Sequence, residues 1–289
     1  MAAEDKTRLT RRETAPGLRH LALHLGAILV CGLGVAWLPG LWAWPAMLGL
    51  GLCLTFLFTL EHECTHRTPF ASDALADWVG RACGLVLVLP FEWFRWFHMA
   101  HHRWTNLEGQ DPELAGEKPA TLWAWALHVS GLPYWKAEIG LMARLVVGRV
   151  EDSFVPPGAR ARVVAEARIM AGAYGLVALS LVWSPAALWF WVVPMALGQP
   201  FLRLYLLAEH GDCPQVVNMF ENTRTTFTTA LVRFLAWNMP YHVEHHVLPQ
   251  VPFHRLPEVH EAMKAELRVT AEGYGAFTRA YLARRGVVG

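Results

Sequence analysis

The chain has 289 residues, of which 54% are hydrophobic and 17% charged, with 14 tryptophans and a formal net charge of +1. A soluble domain carries roughly 25% charged residues, so this composition excludes an ordinary soluble globule, and the near-zero net charge argues against a dedicated nucleic-acid surface, so no nucleic-acid partner is expected. The expectation is an all-α integral membrane protein forming one domain over 1–289: a polar tail (1–19), spans with two histidine clusters (20–208), a third cluster with a cap (209–268) and a C-terminal tail (269–289).

The N-terminal tail is basic (KTRLTRRE) and leads into an apolar run that lacks a small-residue cleavage site, which predicts an anchor that stays on the chain. Apolar runs predict spans at about 20–38, 41–60, 163–183 and 185–208, each close to the ~20 residues that cross the hydrocarbon core. Leu38-Pro39-Gly40 and Ser184-Pro185 leave room only for tight turns, so the spans form two antiparallel hairpins. Two hairpins return the chain to its starting side. Arg144, Arg149, Arg160, Arg162 and Arg168 share that side with the basic tail, which makes it cytoplasmic. Residues 78–97, apolar but interrupted by Arg81, Pro90, Glu92 and Arg95, predict a helix lying in or dipping into the interface, because a full crossing would move His98 to the other face. Residues 120–141 read the same way, and 255–268 as a polar amphipathic helix in the cytosol. The five cysteines, Cys31, Cys53, Cys64, Cys83 and Cys213, form no metal or redox spacing and read as reduced, buried small hydrophobes.

Eight histidines fall in three clusters: HECTH (His62, His66), HMAHH (His98, His101, His102) and YHVEHH (His242, His245, His246). Residues three and four apart share a helix face, so each cluster aims its imidazoles at one point. Nitrogen-rich sites suit iron, zinc or copper, and eight ligands exceed what one tetrahedral zinc uses. A two-metal site is expected, on the side of the membrane that holds the N-terminus. Ligating imidazoles need carboxylates or similar groups to fix their tautomers; Glu63, Asp111, Glu209 and Glu244 are the candidates, with Asn238, one turn before His242, in the same network.

HxxxH, then HxxHH about thirty residues on, then HxxHH after two more spans, resembles the membrane fatty acid desaturase and hydroxylase superfamily of histidine-box di-iron enzymes, over about 41–265. The HxxxH form of the first box, and the stretch NTRTTFTTALVRFLAWNMPYHVEHHVLPQVPFHRLPEVH, place the resemblance in the bacterial acyl desaturase-like branch, which implies a bacterial inner membrane with the active site facing the cytoplasm. The resemblance implies two iron ions held by the eight box histidines, O2 as co-substrate, a lipid or acyl substrate in an apolar tunnel, and desaturation as the reaction. It also implies a further ligand after the fourth span, where His210 stands in LLAEHGD. With no fused redox segment in the sequence, electrons are expected from an external ferredoxin- or cytochrome-type donor, steered by basic residues such as Arg103, Arg255 and Lys264.

Two alternatives stand beside this reading. Within the superfamily, a hydroxylase or carotenoid ketolase shares the first hydrogen abstraction. Outside it, His62-Glu63-Cys64-Thr65-His66 also satisfies HExxH, the zinc-peptidase motif with Glu63 as general base. The isolated His20, His24, His128, His254 and His260 read as interfacial side chains rather than ligands.

Overall fold

Each of the apolar runs becomes a helix long enough to cross a bilayer; the second carries on into the first histidine box, and the fourth ends on His210. The computed structural model describes residues 3–116 and 118–286. Helix α1 (Ala3–Leu9) precedes α2 (Thr14–Trp37), the first span; α3 (Ala43–Thr55) and α4 (Leu57–His66) together make the second. α5 (Asp73–Leu87), α6 (Phe91–Trp104), α7 (Leu122–Val129) and α8 (Leu132–Val146) follow before the third span, α9 (Pro157–Ser180). The fourth span starts with a π-helical turn at Leu188–Val192 and continues as α10 (Val193–His210). A cap of short helices, α11 (Met219–Asn222), α12 (Ala230–Leu235), α13 (His242–Val247), α14 (Leu256–Met263) and α15 (Tyr274–Ala283), completes the chain. Two two-residue strands, β1 (Thr225–Thr226) and β2 (Thr270–Ala271), pair in parallel within the cap. This is an all-α membrane fold with, among the described residues, four helices long and apolar enough to span a bilayer.

The spans pack through small residues. A Cβ on Gly51 would lie 2.1 Å from the Pro194 carbonyl oxygen, and one on Gly198 would lie 2.2 Å from that of Gly51. α3 and α10 therefore touch backbone to backbone, the small-residue packing typical inside a bilayer, where no hydrophobic driving force separates helix from lipid. Leu50, Leu54, Leu60 and Leu202 are buried around this seam, whereas Leu29, Val30, Ile169, Leu176 and Leu179 face outward, as lipid-exposed side chains of a span do. Trp37, Trp42 and Trp183 are exposed at the far turns of the two hairpins, at the level where tryptophan anchors a helix to the headgroups.

Several elements depart from the sequence expectation. The interval 78–97 is not one helix but parts of two, α5 and α6, bent by 101°. α5 ends at Val88 in the left-handed region (φ 62), and Pro90 follows, which disfavours helix for the residue before it and then starts α6. Residues 120–141 likewise split into α7 and α8 at Gly131 (φ +75). The helix expected over 255–268 is regular only from Leu256 to Met263. Neither tail is structureless: α1 forms at the N-terminus, and α15 packs on α10, with the Tyr281 hydroxyl donating to the Pro119 carbonyl (2.8 Å) and Asp212 paired with Arg284 and Arg285. The first span starts at Thr14, inside the expected polar tail, because the Ala-Pro-Gly-Leu stretch already packs: Gly17 sits so close to the Pro69 carbonyl that a Cβ would lie 2.0 Å from it.

Candidate metal centre

Four helices deliver histidines to one place. α4 carries the first box on the end of the second span, and Arg67 (φ 60) stops it just after His66, held by Asp73 and Asp77. α6 carries the second box on the inner face after the bend, α10 ends on His210, and α13 is a short helix made almost wholly of the third box. All nine side chains are buried or half-buried.

The imidazoles fall into two adjoining groups. In the first, His62, His66, His98, His102 and His245 bring ring nitrogens within 4.8 Å of one another. In the second, His101, His210 and His246 do the same, and His242 joins them with its Nε2 3.1 Å from that of His210 and 3.2 Å from that of His246. Nε2 faces Nε2 at 2.8 Å between His66 and His98 and at 3.2 Å between His102 and His245. So many inward-facing ring nitrogens cannot all be satisfied by donating to one another, since a neutral imidazole has one donor and one acceptor. His62 has no hydrogen-bond partner at either nitrogen among the described residues although it is buried. Buried polar atoms left in this way are costly unless an ion or water completes them. Burial, with neighbouring imidazoles adding to it, holds His242, His245 and His246 well below the ordinary histidine range, in the neutral form that binds metal. The cluster fits a metal site.

The outward-facing nitrogens show what orients the rings. Nδ1 of His101 donates to both oxygens of Asp111 (3.0 Å each) and lies 3.1 Å from Glu113. Asp111 is itself fixed by the backbone N–H groups of Asn106 (2.6 Å) and Glu113 (2.9 Å). Nδ1 of His246 meets the Thr105 hydroxyl at 3.2 Å, and Nδ1 of His210 meets the Asn222 carbonyl at 3.1 Å. Glu209 stands 3.4 Å from Nδ1 of His242, and Glu63 stands 3.8 Å from Nδ1 of His245. The other oxygen of Glu63 accepts from the Thr68 hydroxyl (2.8 Å) and the Phe253 amide (3.1 Å). Glu63 thus sits behind a box histidine rather than beside the space the ring nitrogens share.

Two expected members of this network lie elsewhere. Glu244 accepts from the Thr225 hydroxyl and from His260 Nδ1, each at 2.5 Å, and so ties α13 to β1 and α14 without touching a box imidazole. On a six-residue helix whose positions 242, 245 and 246 point inward, position 244 must point the other way. Asn238 is in the left-handed region (φ 58) and donates to the Phe253 carbonyl at 3.1 Å, shaping the turn before α13. Sequence reasoning missed Glu113, Thr105 and Asn222. Thr105, one turn beyond His101, carried a positional signal; Asn222 acts through its backbone carbonyl and carried none. Two of the isolated histidines, expected at the interface, are built into the packing instead: His24 is fully buried, meeting the Cys53 carbonyl (2.8 Å) and the Trp237 indole (3.2 Å), and His20 meets the Phe234 carbonyl (2.8 Å).

A cavity of about 430 Å³ opens onto the cluster, where His62, His98, His101 and His242 form part of its wall. Phe58, Trp93, Phe94 and Phe97 line one side, and α8 and α10 supply the other. The Trp93 indole is fixed by Asp152 (3.0 Å).

Comparison with known proteins places this geometry. Residues 36–278 match the family model described as fatty acid desaturase. The chain is 24% identical to an sn-1 oleoyl-lipid 12-desaturase of Picosynechococcus sp., over 84% of this chain and 75% of that protein. It is 24% identical to a chloroplastic omega-6 fatty acid desaturase of Arabidopsis thaliana, over 83% of this chain and 55% of that protein, so it spans about half the length of that relative. A sphingolipid delta(4)-desaturase/C4-monooxygenase DES2 of Mus musculus is 26% identical over 81% of this chain and 68% of its own. The match of the family model over most of the chain, which contains all three histidine boxes and His210, makes this protein a member of the fatty acid desaturase family.

Proposed function

We propose that this protein desaturates an acyl chain in an O2-dependent reaction, with two iron ions held by His62, His66, His98, His102 and His245 on one side and His101, His210, His242 and His246 on the other. The observation that carries the reading is the pair of adjoining imidazole groups opening on an aromatic-walled cavity. An iron pair bound there supplies the oxidant, formed from O2, that an unactivated methylene requires and that no side chain provides. The protein's own work is positional. Asp111 holds the proton on Nδ1 of His101 and so leaves Nε2 as the ligating lone pair; the Thr105 hydroxyl and Asn222 carbonyl fix the rings of His246 and His210 in the same manner. The aromatic wall of α6 holds the hydrocarbon and excludes water.

Electrons come from a separate ferredoxin- or cytochrome-type donor on the cytoplasmic face of a bacterial inner membrane, the side that holds all three boxes. Of the basic residues expected to steer it, Arg103 is exposed and stacked on Trp104, whereas Arg255 is engaged by Glu13 and Glu258, and Lys264 by Glu261. Hydroxylation is the second reading, supported by a relative whose name joins a desaturase to a monooxygenase. The position of Glu63 behind His245 argues against the peptidase alternative, which needs that carboxylate beside the metal-bound water.

The test is expression with a matching donor and mass spectrometry of the acyl chains. Products lighter by two hydrogens support desaturation, and products heavier by one oxygen support hydroxylation. A purified protein that retains a single zinc and leaves every chain unchanged overturns the proposal.

A further inference from the structure

The cavity beside the metal centre is not apolar throughout. Opposite the aromatic wall, its lining includes Arg203, Glu138, Tyr134 and His128. Arg203 lies on the fourth span, with its guanidinium 4.2 Å over the Tyr134 ring, and neither Nε nor Nη2 has a hydrogen-bond partner among the described residues. Glu138 faces the same space with Oε2 unpartnered. The remaining carboxylates of the lining are accounted for: Glu113 stands 3.1 Å from His101 and Glu209 3.4 Å from His242. A guanidinium buried within a span with two of its nitrogens unsatisfied is expensive even with the Glu138 carboxyl nearby, and such residues mark substrate paths. A passage that only threaded a hydrocarbon tail would gain nothing from one.

We propose that Arg203 anchors the carboxylate of the substrate inside the cavity, so that the molecule oxidised is a free amphiphilic carboxylic acid rather than the buried tail of a membrane glycerolipid. This assignment rests on the oxidation proposed above and names its substrate class. Arg203 precedes His210 by seven residues, which is ~10 Å along the helix on nearly the same face. The carboxylate therefore sits roughly that far below the metal end of α10, with the hydrocarbon between them against Trp93, Phe94 and Phe97. Glu138 adds the second contact: burial pushes its carboxyl up to about 7, so it can hold a proton and donate it in a hydrogen bond to the substrate carboxylate. Arginine suits the task because its planar fork meets a carboxylate in two parallel hydrogen bonds.

The experiment compares a medium-chain carboxylic acid with its own methyl ester, which has the same hydrocarbon but no anion. Binding is read by tryptophan fluorescence of the metal-loaded, detergent-purified protein at a pH where the free acid is ionised. The acid should bind at least about tenfold tighter than the ester, the worth of one charge-assisted hydrogen bond. Arg203→Gln should collapse that ratio toward one and Arg203→Lys should restore part of it, with elution profile and metal content confirming that each variant is folded. Equal affinity for acid and ester in the unmodified protein, or an undiminished ratio in Arg203→Gln, overturns the anchor. In cells, glycerolipid chains desaturated equally well by Arg203→Gln and the unmodified protein would overturn the anchor and leave the desaturase reading standing. Acid-selective binding without any oxidised product would leave the anchor and remove the desaturase.

Discussion

Asp111 meets a box histidine with both of its carboxylate oxygens. Its two oxygens take the His101 Nδ1 proton and two backbone amides at once, so Asp111→Ala removes the tautomer lock and a loop support together. Partners of ligating histidines are worth roughly 10–100-fold in metal affinity, so the variant should elute with depleted metal while the helical content of the spans is retained, as elemental analysis and circular dichroism would show. His245→Ala should be more severe, because it removes one of five imidazoles from the first group; full metal content and full turnover in that variant would contradict the ligand assignment. Glu138 offers a pH test. Its carboxyl is raised by burial from an ordinary 4.5 to about 7, so in the unfolded chain it ionises first. The stability it contributes is complete below about 4.5 and is lost as pH rises through about 7. Glu138→Gln should therefore raise the melting temperature of the ligand-free protein at and above neutral pH and change it little in acid. The eight box histidines were legible in the sequence because helical spacing aims each box at one point and two hairpins return the boxes to one side, whereas His210, alone at the end of its helix, was reached only through the family resemblance. Asn222 was not, since a carbonyl belongs to every residue, and Glu244 was misplaced because proximity in sequence to two inward histidines does not fix which face a carboxylate takes.

Helices α3 and α10 owe their contact to two glycines. With the Gly198 Cβ position 2.2 Å from a carbonyl oxygen, any larger side chain must push the helices apart. Gly198→Val should lower the detergent melting temperature sharply, by an overpacking penalty of about 1–3 kcal/mol or more, and Gly140→Ala, at an open position, should not. The hairpins were legible because each is a long apolar run closed by a short Pro-containing turn. The bend between α5 and α6 was harder to see. Both halves are apolar, and hydropathy averaged over a window cannot separate one interfacial helix from two at 101°; only Pro90 marked the break. The C-terminal α15 was passed over because its helical signal, YGAFTRAYLA, is short and its partners on α10 and at Pro119 are distant in sequence.

At the scale of the molecule, the boxes share one side only if the two hairpins both return. Cysteine labelling near residue 12, residue 110 and residue 284 should give one common side, while a label near Trp183 should report the other. A label at residue 110 on the opposite side from residue 12 would separate the second box from the first and end the single-site interpretation. The parallel pairing of Thr225–Thr226 with Thr270–Ala271 has a bearing on how this arrangement is made. The strand that leads into the third box finds its partner only in the last stretch of the chain, and the Thr225 hydroxyl is the one that grips Glu244 behind that box. During synthesis the spans can insert in order, yet the third box is not braced until residues beyond 270 have left the ribosome. Metal acquisition is then a closing step: a chain ending before Thr270 should still insert into the membrane, but hold no metal.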